Sequence, residues 1–286
     1  MSNKFKSCFF ILLAIGLVLQ LSGCDMAVLD PKGYIASEEK RLIIIAVLLM
    51  LIVVVPVIVL TVLFAWRYRA TNTKAKYTPN WEHNVMLEVV WWAIPCIIVI
   101  ILATITWITS HQLDPYKPLN VKTKPITIEV VALDWKWLFI YPEQNIATVN
   151  FIQIPDHVPI NFKITADAPM NSFWIPHLGG QIYAMAGMQT KLHLIADEKG
   201  EYPGLSSNFS GGGFSGMKFI AKVSSEEDFN RWIDSVRKSP DSLTQIEYNK
   251  VAKPSENDSI KYYSSVEHDL YNGIIMKFMI PKPENK

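Results

Sequence analysis

The sequence predicts a membrane protein of mixed α and β class, in which a two-helix transmembrane hairpin is followed by an antiparallel β-sandwich and a helical C-terminal region. Three observations carry this. Residues 42–66 and 89–108 contain no charged side chain. Beyond position 120, apolar and polar residues alternate in short runs punctuated by Pro and Gly, the mark of half-buried strands. From 224 onward the apolar spacing changes to that of a helix face. The composition agrees, with 50% hydrophobic against 19% charged residues and the apolar excess concentrated in the first 110 positions. That distribution excludes an evenly built soluble globule.

Residues 1–23 read as an export signal: Lys4 and Lys6 form a basic start, an apolar stretch follows, and Leu21-Ser22-Gly23 precedes Cys24. The tetrapeptide resembles the lipobox of bacterial lipoproteins, which implies cleavage before Cys24 and lipidation of its thiol. Residues 24–41 are then a periplasmic, lipid-anchored N-terminus, and Asp25 resembles a signal for retention in the inner membrane. Cys8 leaves with the signal and Cys96 lies in an apolar run, so no disulfide or thiolate metal site can form after position 96.

Residues 42–66 form the first predicted span. At about 1.5 Å per residue such a run exceeds a hydrocarbon core of about 30 Å. Residues 88–109 form the second, and Pro56 and Pro95 are tolerated inside such helices. The connecting loop, 67–87, carries Arg67, Arg69, Lys74 and Lys76 against Glu82 alone, which places it in the cytoplasm. An outward Cys24 requires the same topology, and everything after His111 is then extracytoplasmic.

Residues 110–223 read as the sandwich. Ile126, Ile128, Val130 and Ala132 alternate with Thr127, Glu129 and Val131, and Ile160, Phe162 and Ile164 with Asn161, Lys163 and Thr165. Met217, Phe219, Ala221 and Val223 form a third run. Residues 224–286 read as helical. Ser224 and Glu227 offer a capping box, Phe229, Trp232, Ile233 and Val236 share one face, and Pro240 ends the helix. Further helices are predicted over 241–252 and 266–279, separated by a polar linker at 253–259.

The stretch SSNFSGGGFSGM, 206–217, is the main chemical question. It fails as a phosphate cradle because no Lys-Ser or Lys-Thr follows the glycines. Upstream lie Asp134-Trp135-Lys136-Trp137 and Asn171-Ser172-Phe173-Trp174-Ile175-Pro176. This order of motifs behind a two-helix hairpin resembles subunit II of the haem-copper terminal oxidases, over residues 24–223. The resemblance implies a cupredoxin-like sandwich standing above a hairpin that packs on the catalytic subunit I.

Members of that family with copper hold a binuclear centre in a histidine ahead of S-[FW]-x-x-P, then C-x-E-x-C, a second histidine and a methionine. The matching positions here are Asn171, Ser206, Asn208, Ser210, Phe214 and Met217. Only Met217 is a family ligand, since a serine hydroxyl does not ionise at neutral pH as a thiolate does and a phenyl ring has no lone pair. The resemblance therefore implies a vestigial copper site and points to the quinol-oxidising branch. There, electrons enter subunit I from ubiquinol in the bilayer. No haem, copper or other cofactor is expected in this chain, which has no catalytic residue of its own; haem and copper belong to subunit I.

Expected partners are subunit I, smaller membrane subunits, ubiquinol through the complex, and the lipid bilayer. No nucleic acid is expected. The expected location is a bacterial inner membrane, in a complex that reduces oxygen and pumps protons. A rival reading is a membrane-tethered cupredoxin-like binding module independent of any oxidase.

Glu88 opens Glu88-Val89-Val90-Trp91-Trp92-Ala93-Ile94-Pro95. It resembles the family's E-x-x-W-x-x-x-P, whose carboxylate stands at the entrance of a proton channel of subunit I. Trp135 and Trp137 match the family's aromatic patch for electrons from cytochrome c. Without an onward acceptor they are expected to act as packing residues and as anchors on the membrane-facing side. The six histidines have no metal-ligand spacing. From position 110 onward, 18 Lys plus Arg face 20 Asp plus Glu, so no strong acidic field would steer a basic donor protein.

Overall fold

A computed structural model of the chain describes residues 26–76, 78, 80 and 82–279. The expected export signal, Cys24 and the last seven positions lie outside the described residues.

Helix α1 is Tyr34–Arg67 and helix α2 is Val85–Gln112. They run continuously through Pro56 and Pro95. At about 1.5 Å per residue, their 34 and 28 residues reach about 51 and 42 Å, well beyond a hydrocarbon core. Helix α1 starts eight residues before the uncharged span because Ser37, Glu38, Glu39, Lys40 and Arg41 contain no helix breaker. Asn84 caps α2, its side chain accepting the Leu87 N–H at 3.1 Å. Tyr34 and Gln112 line one cavity, so the outer ends of the two helices meet as a hairpin.

The segment before α1 is stitched to the sandwich. Lys32 N–H donates to the His177 carbonyl at 2.7 Å, Ala36 N–H to Leu178 at 3.2 Å, and Asp197 N–H to Lys32 at 2.8 Å. A side chain at Gly33 would collide with the Ile195 carbonyl, so the glycine permits this close approach.

The sandwich has eleven strands: β1 (Ile126–Leu133), β2 (Lys136–Tyr141), β3 (Ile146–Val149), β4 (Phe151–Pro155), β5 (Ile160–Ala166), β6 (Asn171–Trp174), β7 (Ile182–Ala184), β8 (Thr190–Leu194), β9 (Gly200–Ser206), β10 (Lys218–Ser224) and β11 (Lys261–Tyr263). One sheet has the order β11-β3-β2-β1-β5-β8 and the other β4-β10-β9-β6-β7. Most pairs are antiparallel, but β1 with β5 and β4 with β10 run parallel, so both sheets are mixed. Between them lies a core of Val130, Trp137, Phe139, Phe162, Phe173 and Phe219. The Phe173 and Phe219 rings stack at 5.2 Å, and Trp137 meets Phe173 edge-on at 5.4 Å. Each fully buried large apolar side chain contributes about 1.5–3 kcal/mol.

The first sheet is buried on both faces. Val131, Leu133, Leu138 and Ile140 point away from the central core and pack under Leu243, Tyr248 and Ile274 of the C-terminal region, with Tyr263 of the edge strand β11 in the same cluster. This is why β2 is buried at every position and why the alternation predicted for β1, with Val131 outward, does not correspond to exposure. Helix α3 (Glu226–Val236) closes one end of the sandwich, with Phe229, Ile233 and Val236 buried.

Several C-terminal boundaries differ from expectation. The cap of α3 is Ser225, whose hydroxyl accepts the Asp228 N–H at 3.2 Å. The expected Ser224 is still in β10, where its hydroxyl accepts from Gln153 Nε2 at 2.8 Å. The helix ends at Val236 with Arg237 as its C-cap, short of Pro240. Helices α4 (Gln245–Val251) and α5 (Leu270–Met279) are shorter than predicted, and β11 follows the polar linker.

Candidate functional site

The glycine stretch spans the end of β9, a loop, and a single 3-10 turn at Gly212–Gly216 leading into β10. Its two ends are held by backbone pairing, with Ser206 N–H donating to the Met217 carbonyl at 3.2 Å. Asn171, at the start of β6, faces the same place. Its side-chain oxygen accepts from Ser206 Oγ at 2.9 Å, and its Nδ2 donates to the Pro169 carbonyl at 2.7 Å. Asn208 Nδ2 donates to the Met170 carbonyl at 2.9 Å. Asn171 and Ser206 are 1% and 3% exposed, so this hydrogen bond works in a poorly hydrated setting where an unpaired polar group would be costly.

The remaining positions sit differently. Met217 is buried with Trp137 and Phe219 in the central core. Phe214 packs edge-on against the exposed Phe209 at 5.6 Å. Ser210 contributes its carbonyl, which accepts the Trp135 indole N–H at 3.2 Å, while its hydroxyl is buried without a partner. The structure thus joins Asn171, Ser206, Asn208 and Met217 through hydrogen bonds and places Ser210 and Phe214 on the outer arm of the loop. This donor set, two amides, two hydroxyls, one phenyl ring and one thioether, does not suit copper, which prefers thiolate and imidazole.

Trp135 explains the glycines. It turns the chain between β1 and β2 at φ 63° and lays its indole on the loop. A Cβ on Gly213 would stand 2.5 Å from that ring. Gly211 has φ 116°, a conformation that favours glycine. Trp137 is fully buried between the sheets. It is a core residue and does not serve as the membrane-side anchor that was expected.

Sequence reasoning missed the group between these tryptophans. Lys136 is 3% exposed and its Nζ lies 2.8 Å from Asp258. The same ammonium donates to the carbonyls of Val251 at 3.0 Å and Lys253 at 2.9 Å, and to Ser255 Oγ. Burial alone would push the Asp258 carboxyl up, but hydrogen bonds from Lys136 and Ser255, with the charges of Lys136 and Lys261, hold it below the usual range. A lone lysine opening the apolar run 137–141 was the available signal; it lies on the outer face with Leu138 and Ile140, and once that face is covered such a charge needs a buried partner.

At the other end of the molecule, Glu88 lies in the first turn of α2, where a carboxylate is favoured by the helix dipole. Its Oε1 is 2.5 Å from His83 Nδ1. It also lines a shallow apolar groove with Val89, Trp92 and Cys96. Among the described residues, no group of three or more His, Cys, Asp or Glu side chains is placed to hold a metal ion.

Comparison with known proteins gives this geometry its context. The COX Aromatic Rich Motif family matches residues 237–282, the region that covers the first sheet. The chain is similar to the periplasmic domain of subunit II of cytochrome oxidase of Bradyrhizobium japonicum, at 20% identity and a TM-score of 0.39 over 41% of this chain and 96% of that one. It is 55% identical to cytochrome bo(3) ubiquinol oxidase subunit 2 of Pseudomonas putida over 96% of this chain and 88% of the relative. It is also 51% identical to ubiquinol oxidase subunit 2 of Acetobacter aceti, over 97% and 91% of the two chains. The two ubiquinol oxidase relatives define the class, a second subunit of a quinol oxidase. Within that class, the chain belongs to the family of cytochrome bo(3)-type ubiquinol oxidase subunit 2, part of an oxidoreductase complex.

Proposed function

We propose that this chain is the non-redox second subunit of a proton-pumping ubiquinol oxidase of a bacterial inner membrane. Ubiquinol is oxidised and oxygen reduced to water in subunit I, which holds the haem and copper. This chain carries a vestigial copper site, stabilises subunit I through its hairpin and sandwich, and contacts the smaller membrane subunits and the bilayer. It is anchored additionally by lipid on Cys24. The observation that supports the reading best is the Asn171–Ser206 hydrogen bond at 2.9 Å, which fills with two neutral side chains the positions where the copper-bearing relatives carry a histidine and a cysteine. Electrons arriving from quinol in the bilayer need no relay through the sandwich.

Glu88 serves proton uptake. A carboxylate at the cytoplasmic end of a span, within 2.5 Å of an imidazole, can exchange protons with water on one side and with subunit I on the other. The test is the purified complex. Metal analysis should give no copper beyond that of subunit I, and Glu88→Gln should lower turnover while quinol affinity and haem content stay unchanged. Extra copper, removed by Met217→Leu, would overturn the non-redox assignment. Unchanged turnover in Glu88→Gln from acid to alkaline pH would remove the proton role.

A further inference from the structure

A cavity of about 280 Å³ lies where the outer ends of α1 and α2 meet the sandwich. It is at the small end of ligand sites, which span about 300–1,000 Å³, and so suits a compact polar group. Its depth relative to the membrane follows from the helices. Glu39, in its wall, stands three residues outside the uncharged run that begins at Leu42, and Gln112 stands four residues beyond Ile108, where the second run ends. One helical turn is about 5.4 Å, so the cavity sits at the level of lipid headgroups on the sandwich side.

The wall carries charges of both signs that do not neutralise one another. The Glu39 carboxylate is partly buried and accepts the Gly180 N–H. A Cβ on Gly180 would stand 2.7 Å from Glu39 Oε1, so the glycine lets the carboxylate reach into the seam. Among the described residues no side chain pairs with Glu39, and none pairs with Lys117 across the same cavity. Three other polar groups there are engaged: Asp114 Oδ1 accepts the Tyr116 N–H at 2.9 Å, His193 Nδ1 lies 2.9 Å from the Pro115 carbonyl, and Gln181 Oε1 accepts from the Ser207 hydroxyl. A partly desolvated carboxylate without a cation is costly. A ligand bearing one N–H cation and one anion would complete both groups at once.

We infer that this cavity binds the zwitterionic head of a phosphatidylethanolamine molecule, the ammonium on Glu39 and the phosphate on Lys117, with the acyl chains descending along the apolar face of the hairpin that subunit I leaves to lipid. Charge-assisted hydrogen bonds of this type discriminate among headgroups. A glycerol head offers Glu39 no cation, and the trimethylammonium of choline offers it no N–H donor.

The test uses the whole oxidase complex. It is reconstituted in nanodiscs of phosphatidylethanolamine, phosphatidylcholine or phosphatidylglycerol, re-extracted in mild detergent, and its retained lipids are counted by native mass spectrometry. The wild type should keep one more phosphatidylethanolamine than the Glu39→Gln, Lys117→Gln double variant, with each single variant binding about tenfold more weakly. Neither of the other lipids should show this difference. Glu39→Asp with Lys117→Arg should retain the lipid, and the single variants keep the test open if the double variant does not assemble. Equal retention by wild type and variants would overturn the inference. So would equal retention of phosphatidylglycerol, or cross-linking of a partner subunit to Glu39, which would show the cavity covered by protein. Displacement by soluble phosphoethanolamine at millimolar concentration would assign the site to a free metabolite and equally sink the lipid.

Discussion

Lys136 and Asp258, 122 positions apart in the sequence, form an ion pair at 2.8 Å beneath the C-terminal linker. The lysine is the buried partner at 3% side-chain exposure and the aspartate the more open one at 23%. The two substitutions therefore differ. Asp258→Asn strands a buried ammonium and should cost about 3–5 kcal/mol. Lys136→Met removes the charge with its burial and leaves two carbonyls short of a donor, costing about 1–3 kcal/mol. Thermal or urea unfolding of the purified chain in detergent measures both.

The same pair sets an acid limit. The Asp258 carboxyl is held below its ordinary value of 3.8, so its contribution is complete above that value and is lost as pH falls through the lower folded one. The stability difference between wild type and Asp258→Asn should be constant from neutral pH down to about pH 5 and shrink below pH 4. A difference that instead grew on acidification would refute the assignment.

Two glycines give opposite expectations. Gly213→Ala drives a methyl group to within 2.5 Å of the Trp135 ring and should destabilise the loop by about 1–3 kcal/mol, as overpacking does. Gly273 lies inside α5 with nothing within 4 Å of its Cβ position, so Gly273→Ala should stabilise by about 0.5–1 kcal/mol. Paired melting curves in one detergent compare them directly.

Asn171→His, Ser206→Cys, Asn208→Glu, Ser210→Cys and Phe214→His, made together around Met217, would supply the thiolates and imidazoles that copper prefers. If the loop keeps the spacing proposed for it, the variant should bind two coppers with intense visible absorption. One copper with a mononuclear electron spin resonance signal, or none, would show that the loop geometry has departed from that of a copper site.

Cys24→Ser should leave the export signal uncut and the chain without lipid, running larger on a gel. Oxidase activity should persist, because two spans hold a protein far more firmly than acyl chains do. Loss of the assembled complex at normal expression would contradict that ranking.

The hairpin was legible because 25 uncharged positions admit few soluble alternatives, and its helices run on past those spans, through residues 37–41 before the first and through residues 85–87 and 110–112 around the second. The strands were legible in place but not in partner, since alternation says which residues face one way and not what covers them. Val131 read as outward-facing because its cover, Tyr248 and Ile274, arrives more than 100 positions later. Parallel pairing of β1 with β5 has no local signal, because it depends on the crossover. The capping serine was displaced by one because Gln153, remote in sequence, binds Ser224. At the candidate site, the spacing of Asn171, Ser206 and Met217 was readable. The seating of Trp135 on Gly213 was not, because a positive φ at a tryptophan is a tertiary outcome.

The double covering of the first sheet has a consequence for biogenesis. Strands β1 and β2 are translated long before Leu243, Tyr248, Tyr263 and Ile274, which hide their outer face. Until residues 243–274 have emerged, a growing chain presents an apolar sheet surface to water, and non-local contacts of this span form slowly. A product that stops just short of α5 retains both membrane spans and all eleven strands, yet lacks Leu270, Tyr271 and Ile274 over the outer face of the first sheet. The C-terminal elements are thus the second wall of the sheet, and its outer face stays open to water until they dock.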